Sequence, residues 1–297
     1  MSNQKIWRLG AKDSAHLIIW SISSICNYRC PYCRHHLESP RHAFKEYPAK
    51  VWVDAFKKLA PKRIALTITG GEPFLDTKNF HELLTGLTQL NHIDNIRIDT
   101  NGSWDARSFA DISFKKVILN IAFHPLMTDL ESFYNRIKSY MGIGAYIGMV
   151  NFVTAPDQIN QYLKVRNKFL PLGVKTNPNP LHGKNVVYND DQLNLYKKYL
   201  NPFDAGYMTT KSSPLGKPCL FPAIGLKMDE KGNLRSCQGK EYIGNLIQSG
   251  LPKQPLKPVK CRRNKCFCIN YYSCLCESPR AKDNLNILKD YVKQSPY

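Results

Sequence analysis

The sequence predicts an α/β fold, a parallel sheet with helices outside it, followed by a small Cys-rich part carrying a β-hairpin. Three observations predict it. Six strand-helix units follow one another across residues 16–200. Gly-, Asn- and Cys-bearing turns sit where the strands end. The composition then shifts after Asn201, where a Pro-, Gly- and Ser-rich stretch precedes seven of the ten cysteines.

Residues 1–15 are polar and read as a lead-in strand or arm. His16–Ile22 is β-branched and apolar enough for a buried first strand, so the loop from Cys26 to Cys33 lies at its C-terminal end. After a long loop at 35–48, Val51, Ala55, Phe56 and Leu59 fall on one face of a helix at 49–59. Arg63–Thr69 is the second strand, capped by Gly70-Gly71-Glu72-Pro73, and a helix follows at 77–90. Ile96–Asp99 is the third strand, ending in Thr100-Asn101-Gly102. The fourth, Val117–Phe123, carries Asn120 and ends in His124-Pro125, which makes Asn120 and His124 candidate catalytic residues. A helix at 130–141, a strand at 146–153, a helix at 159–169 and a short sixth strand at 174–176 continue the alternation. Asn177-Pro178-Asn179-Pro180 is expected to force a loop. Asn189 and Gln192 read as a capping box opening a helix that runs to Leu200.

These units define a first domain at 1–201 and a linker at 202–218. A Cys-rich domain follows at 219–280, and an exposed C-terminal helix at 281–297. In the Cys-rich part, Ile224–Met228 and Asn233–Ser236 around Asp229-Glu230-Lys231-Gly232 read as the hairpin.

A chain of 297 residues with 43% hydrophobic and 11% aromatic content is globular, long enough for one large domain or one with a small appendage. It has no signal-peptide run and no apolar stretch of roughly 18 residues, so a cytoplasmic protein with no membrane partner is expected. Ten Cys in a reducing compartment argue for ligation over disulfides, and they cluster as ligands do, three near the N-terminus and seven from Cys219 onward. The formal charge of +19 leaves two readings, an anionic partner or a solvated basic surface. No nucleic-acid-binding motif accompanies it.

Cys26, Cys30 and Cys33 put three thiols in eight residues, one short of a closed tetrahedral site or a fully ligated cluster. A cube held by three would keep one iron open. A zinc knuckle is the alternative, with His35 or His36 as fourth ligand. Cys-x3-Cys-x2-Cys with Tyr32 before the last Cys resembles the signature of radical S-adenosylmethionine (SAM) enzymes, and Gly70-Gly71-Glu72-Pro73 is similar to that family's second element. The resemblance implies a partial (β/α)6 barrel with its chemistry at the C-terminal strand ends. It also implies a [4Fe-4S] cluster on Cys26, Cys30 and Cys33, whose electron splits SAM into methionine and a radical that takes hydrogen from substrate. Tyr32 would pack on the adenine side, Gly70, Gly71, Glu72 and Pro73 would hold the SAM amino group, and Thr100 and Asn101 would lie near the ribose and carboxylate.

Cys219, the hairpin, Cys237 and Ile243-Gly244-Asn245-Leu246 are similar to the opening of the SPASM and twitch extensions, which carry auxiliary iron-sulfur clusters. Cys261, Cys266, Cys268, Cys274 and Cys276 depart from SPASM spacing. Seven Cys suffice for at least one auxiliary [4Fe-4S] cluster, with zinc as the alternative. The implied partners are a one-electron donor such as flavodoxin or ferredoxin and a substrate of anionic character. Peptide or protein modification is expected ahead of oxidation or epimerisation of a carbohydrate-like or phosphorylated small molecule, although only 25 residues precede Cys26 to hold a peptide-recognition domain. A zinc- or cluster-bearing nucleic-acid-binding protein is the reading from another class.

Overall fold

The computed structural model describes residues 16–33, 47–181, 186–199, 213–237, 241–255 and 257–264. The chain divides into two compact units, Met1–Gly148 with Ile224–Gln254, and Met149–Ala223 with Pro255–Tyr297. The lead-in segment, His35 and His36, most of the expected linker, and Cys266, Cys268, Cys274, Cys276 and the C-terminal helix lie outside the described residues.

The first unit is built on β1 (His16–Ser23), β2 (Ile64–Gly70), β3 (Ile93–Thr100) and β4 (Val117–Phe123), parallel and in sequence order. Helices α1 (Ala49–Lys57) and α2 (Thr77–Gln89) connect the first three strands, and α3 (Leu130–Gly142) follows β4. Side chains alternate along a strand. Ile18, Trp20, Ile22, Leu66, Ile68, Ile96, Ile98, Leu119 and Ile121 therefore form one apolar face, and all are buried. Helix α1 covers it: the Trp20 ring lies 4.5 Å from Trp52 and 5.9 Å from Phe56, centroid to centroid. The other face carries Ser21, Thr67, Thr69, Arg97, Asp99 and Asn120.

The strands follow the apolar runs with small differences. β3 begins at Ile93 and takes in Thr100, because the ladder to β4 runs on to Thr100 opposite Ile121. α1 stops at Lys57, and the two following residues close it with single backbone bonds to Asp54 and Phe56.

The expected hairpin forms as β8 (Gly225–Met228) and β9 (Asn233–Arg235), and β10 (Gly244–Asn245) adds to it. Asp229 holds the turn by accepting from the backbone N–H of Lys231 and Asn233. What the pattern did not foresee is the docking: β8 pairs in parallel with β1, Leu17 opposite Gly225 and Trp20 opposite Met228. The first unit's sheet therefore reads β10-β9-β8-β1-β2-β3-β4. Gly232 in the hairpin turn sits against the Trp52 ring, so the hairpin reaches α1 as well.

The second unit contains most of β5 (Tyr146–Thr154), α4 (Ile159–Phe169), β6 (Thr176–Pro180) and α5 (Asp190–Tyr199). Asn177–Pro180 is strand where a loop was expected: Asn177 pairs with Asn151 and Pro178 with Phe152. β6 ends the strand order, and a proline with no N–H to give is tolerated on an edge. The capping box is present, with Asn189 N–H donating to Gln192 Oε1 at 2.8 Å and Gln192 N–H to Asn189 Oδ1 at 3.0 Å. A two-stranded ladder joins β7 (Pro218–Cys219) to β11 (Val259–Lys260). No helix of the described residues is long and apolar enough to cross a membrane.

Truncating Trp20 empties the contact between sheet and α1. Trp20→Ala is expected to lower unfolding free energy by about 3–5 kcal/mol, read from guanidinium chloride unfolding followed by circular dichroism.

Candidate active site

Three loops meet at the C-terminal ends of β1, β2 and β3, and main-chain bonds zip the first two together. Gly71 N–H donates to Ser23 O at 2.7 Å and Glu72 N–H to Ile25 O at 2.9 Å. Gly70 has φ +138°, a conformation side chains avoid, and a Cβ there would collide with Ser23 O; one on Gly71 would collide with Ile25 O. The glycine pair is therefore required by the approach of the Cys loop's own backbone.

Glu72 is 1% exposed, and its carboxylate joins the second loop to the third. Oε1 accepts from Thr100 Oγ1 at 2.7 Å and from Phe74 N at 3.1 Å, and Oε2 accepts from Asn101 N at 2.7 Å. Burial pushes the carboxyl up to about 7 while the three donors pull it down. Pro73 is buried and opens a single 3-10 turn at Pro73–Leu75.

Asn101 links the third loop back to the first. Its Nδ2 donates to Asn27 Oδ1 at 3.0 Å and lies 3.6 Å from Cys26 Sγ, while Asn27 Nδ2 donates to Ser103 Oγ at 2.8 Å. Cys26 Sγ also accepts from Tyr28 N at 3.3 Å. Asn27 and Ser103 were missed in the sequence. The available signal was a short amide inside the Cys loop and a hydroxyl just past Gly102.

Tyr32 and His124 are brought together, with hydroxyl and Nδ1 3.0 Å apart and the rings stacked at 6.0 Å with an angle of 22°. Tyr28 meets His124 edge-on at 5.9 Å. Burial pushes His124 down to about 4, so its imidazole is neutral at physiological pH. Asn120 is buried on β4 on the face carrying Asp99.

Among the described residues no three His, Cys, Asp or Glu side chains surround a single point as a lone ion would need. A cube is ligated through separate irons, and for that the donor set fits. Three thiols share one short loop, and two N–H groups are aimed at one of the sulfurs, an arrangement suited to a thiolate. Burial pushes Cys26 up and Cys30 up to about 11, so ligation has to displace protons.

The C-terminal cysteines divide. In the second unit Cys219 lies opposite Val259, and the bond from Cys261 N to Lys217 O extends that ladder. Cys219 and Cys261 thus lie in and beside one short two-stranded ladder. Cys237 follows β9 in the first unit.

Residues 20–178 match the Radical SAM superfamily, which covers more than half of the chain, and the chain belongs to that family. It is a radical SAM enzyme, and the family implies a [4Fe-4S] cluster and SAM. The chain is 33% identical over 86 residues to GTP 3′,8-cyclase from Actinobacillus succinogenes, a match that spans a quarter of that enzyme. Its fold is similar to that of SuiB from Streptococcus suis bound to the precursor peptide SuiA, with TM-score 0.62 and 14% identity over 80% of this chain and 64% of SuiB. It is also similar to anSMEcpe with bound AdoMet and Kp18Cys peptide, with TM-score 0.59 and 14% identity over 94% of this chain and 86% of that one. The chain thus spans less than two thirds of SuiB.

Glu72→Ala would leave three buried donors without an acceptor. A loss of about 3 kcal/mol or more in unfolding free energy is expected at about 1–3 kcal/mol per donor. Glu72→Gln, which keeps one oxygen, should lose less; equal stability of both variants to the native chain in urea unfolding would contradict the clamp.

Proposed function

We propose that this enzyme cleaves SAM reductively and abstracts a hydrogen atom from a peptide or protein substrate, with an auxiliary [4Fe-4S] cluster drawn from its C-terminal cysteines. The observation that carries the reading is the bonded convergence of the Cys loop, the Gly70–Glu72 turn and Thr100-Asn101 at one end of three parallel strands. When bound, the cluster and SAM together supply the electron and the 5′-deoxyadenosyl radical that attacks a substrate C–H bond.

The chain's own residues prepare that event. Cys26, Cys30 and Cys33 are assigned as ligands, with Tyr28 N–H and Asn101 Nδ2 supporting the charge on Cys26. The main chain of Gly70, Gly71 and Glu72, stiffened by Pro73, is assigned to the SAM amino group. The Glu72 side chain is spent on bracing Thr100 and Asn101 at the SAM ribose and carboxylate. Tyr32 is assigned to the adenine side, with the neutral His124 fixing its ring. Asn120 and His124 face the substrate in this reading.

Peptide substrates are favoured by the peptide complexes of SuiB and anSMEcpe, which share the fold. The cyclase match favours a second reading, a phosphorylated small molecule. Cys219 and Cys261 at one short ladder support the auxiliary cluster, with Cys237, Cys266, Cys268, Cys274 and Cys276 as the remaining candidates. The chemistry calls for a flavodoxin- or ferredoxin-like donor, and reduced thiols for a cytoplasmic setting.

Anaerobic reconstitution should give about eight irons per chain if one auxiliary cluster joins the first. Reduction with SAM should release 5′-deoxyadenosine, and Cys30→Ala should abolish it. About four irons with activity would remove the auxiliary cluster from the reading; no deoxyadenosine from the native chain would remove the cleavage itself.

A further inference from the structure

The sheet face turned away from α1 carries a row of residues that its fold alone does not explain. Successive register partners across five strands are Arg235 (β9), Lys227 (β8), Ile19 (β1), Thr67 (β2) and Arg97 (β3), and Ile118 (β4) continues the row. Partners in register project to the same side. Trp20, one residue on, points to α1, so Ile19 and the whole row point the other way.

The row places long cations on either side of short residues. Lys227 and Arg97 stand three strand spacings apart, about 14 Å at about 4.8 Å per strand. Only Ile19 and Thr67 lie between them in the row. Thr67 is 1% exposed, and its hydroxyl has no hydrogen-bond partner among the described residues. A buried hydroxyl without a partner costs stability unless something else supplies the bond.

Arg97 is 8% exposed and held in one orientation, its Nε and Nη2 gripping Asp99 Oδ1 and Oδ2 at 2.7 Å each. The row beyond, toward the Cys loop, carries Ser21, Thr69, Asp99 and Asn120. Gly148 packs closely against this row: a Cβ there would come within 2.6 Å of Ile118 Cγ2 and 2.7 Å of Asn120 Oδ1. The face is thus polar from Arg97 to the strand ends that carry the Cys, Gly-Gly-Glu and Thr-Asn turns, all within the first unit.

We propose that Lys227, Arg97 and Thr67, with Arg235 behind Lys227, form an oxyanion-binding subsite that seats a carboxylate or phosphate group of the substrate beneath the SAM-cleaving site. This rests on the radical SAM reading and deepens it. Arginine and lysine recognise both oxyanions by charge-assisted hydrogen bonds, and a hydroxyl donor completes the set. The substrate is therefore an acidic peptide or a phosphorylated small molecule.

The test uses the anaerobically reconstituted full chain and calorimetric titration with two probes, an acetylated tetraglutamate peptide and inorganic phosphate. SAM affinity is measured on the same samples, and failure of the native chain to bind SAM would count against the radical SAM reading alone. At least one probe should bind the native chain. Lys227→Gln should weaken it about tenfold or more, the loss expected for one charge-assisted bond. Thr67→Val, which removes only an unpartnered hydroxyl, should weaken it while leaving thermal stability level or raised, a combination that a purely structural threonine would not give. Binding of the peptide alone would assign the carboxylate source, and of phosphate alone the phosphorylated one. No binding of either probe to the native chain, or binding in both variants within twofold of native, overturns the subsite.

Discussion

Everything at the candidate site hangs on one buried carboxylate. Glu72 has no water to solvate it and survives by accepting from three donors on two segments, Phe74 on its own turn and Thr100 and Asn101 on the next. Its backbone N–H is at the same time fixed to Ile25, at the root of the Cys loop. A single residue thus sets the separation of three loops that the sheet alone would only bring near one another. The amide of Asn101 then carries that positioning to within hydrogen-bonding reach of Cys26.

The aromatic residues behind this clamp give it something stiff to push against. Trp104 is stacked between Phe74 and Tyr140, at 4.2 Å and 4.1 Å, and the Tyr140 hydroxyl donates to Gly102 O and Trp104 O. Stacked and edge-on rings of this kind contribute beyond their buried area. The Thr100–Ser103 turn is therefore fixed from the core side by α3 and from the loop side by Glu72. Flexibility is removed from both directions at the place where a cofactor's polar groups would have to be met.

The fold and the motif loops were legible because periodicity and spacing report them directly. Apolar runs mark β1, β2 and β4, and Cys-x3-Cys-x2-Cys is a pattern few structures need. Side-chain function within the loops was less legible. Glu72 reads as one more ligand-facing residue until its three donors are seen, and Asn27 carries no signature at all. Asn177–Pro180 misled because proline reports a missing N–H without saying whether the position is an edge. The parallel docking of β8 on β1 could not be read either, since a hairpin's sequence specifies its own turn and not the strand it will lie beside.

That docking gives the chain a long-range dependency. β1 is a central strand in the finished sheet, yet the neighbour on one of its sides, Gly225–Met228, is made only after β2, β3 and β4 are complete. Until then β1 presents an open row of backbone donors and acceptors beside a run of isoleucines, the kind of edge to which other chains add. Synthesis of the last quarter is thus also the sealing of the first strand. A ribosome stalled before residue 225 would release an adhesive chain as well as an unfinished one.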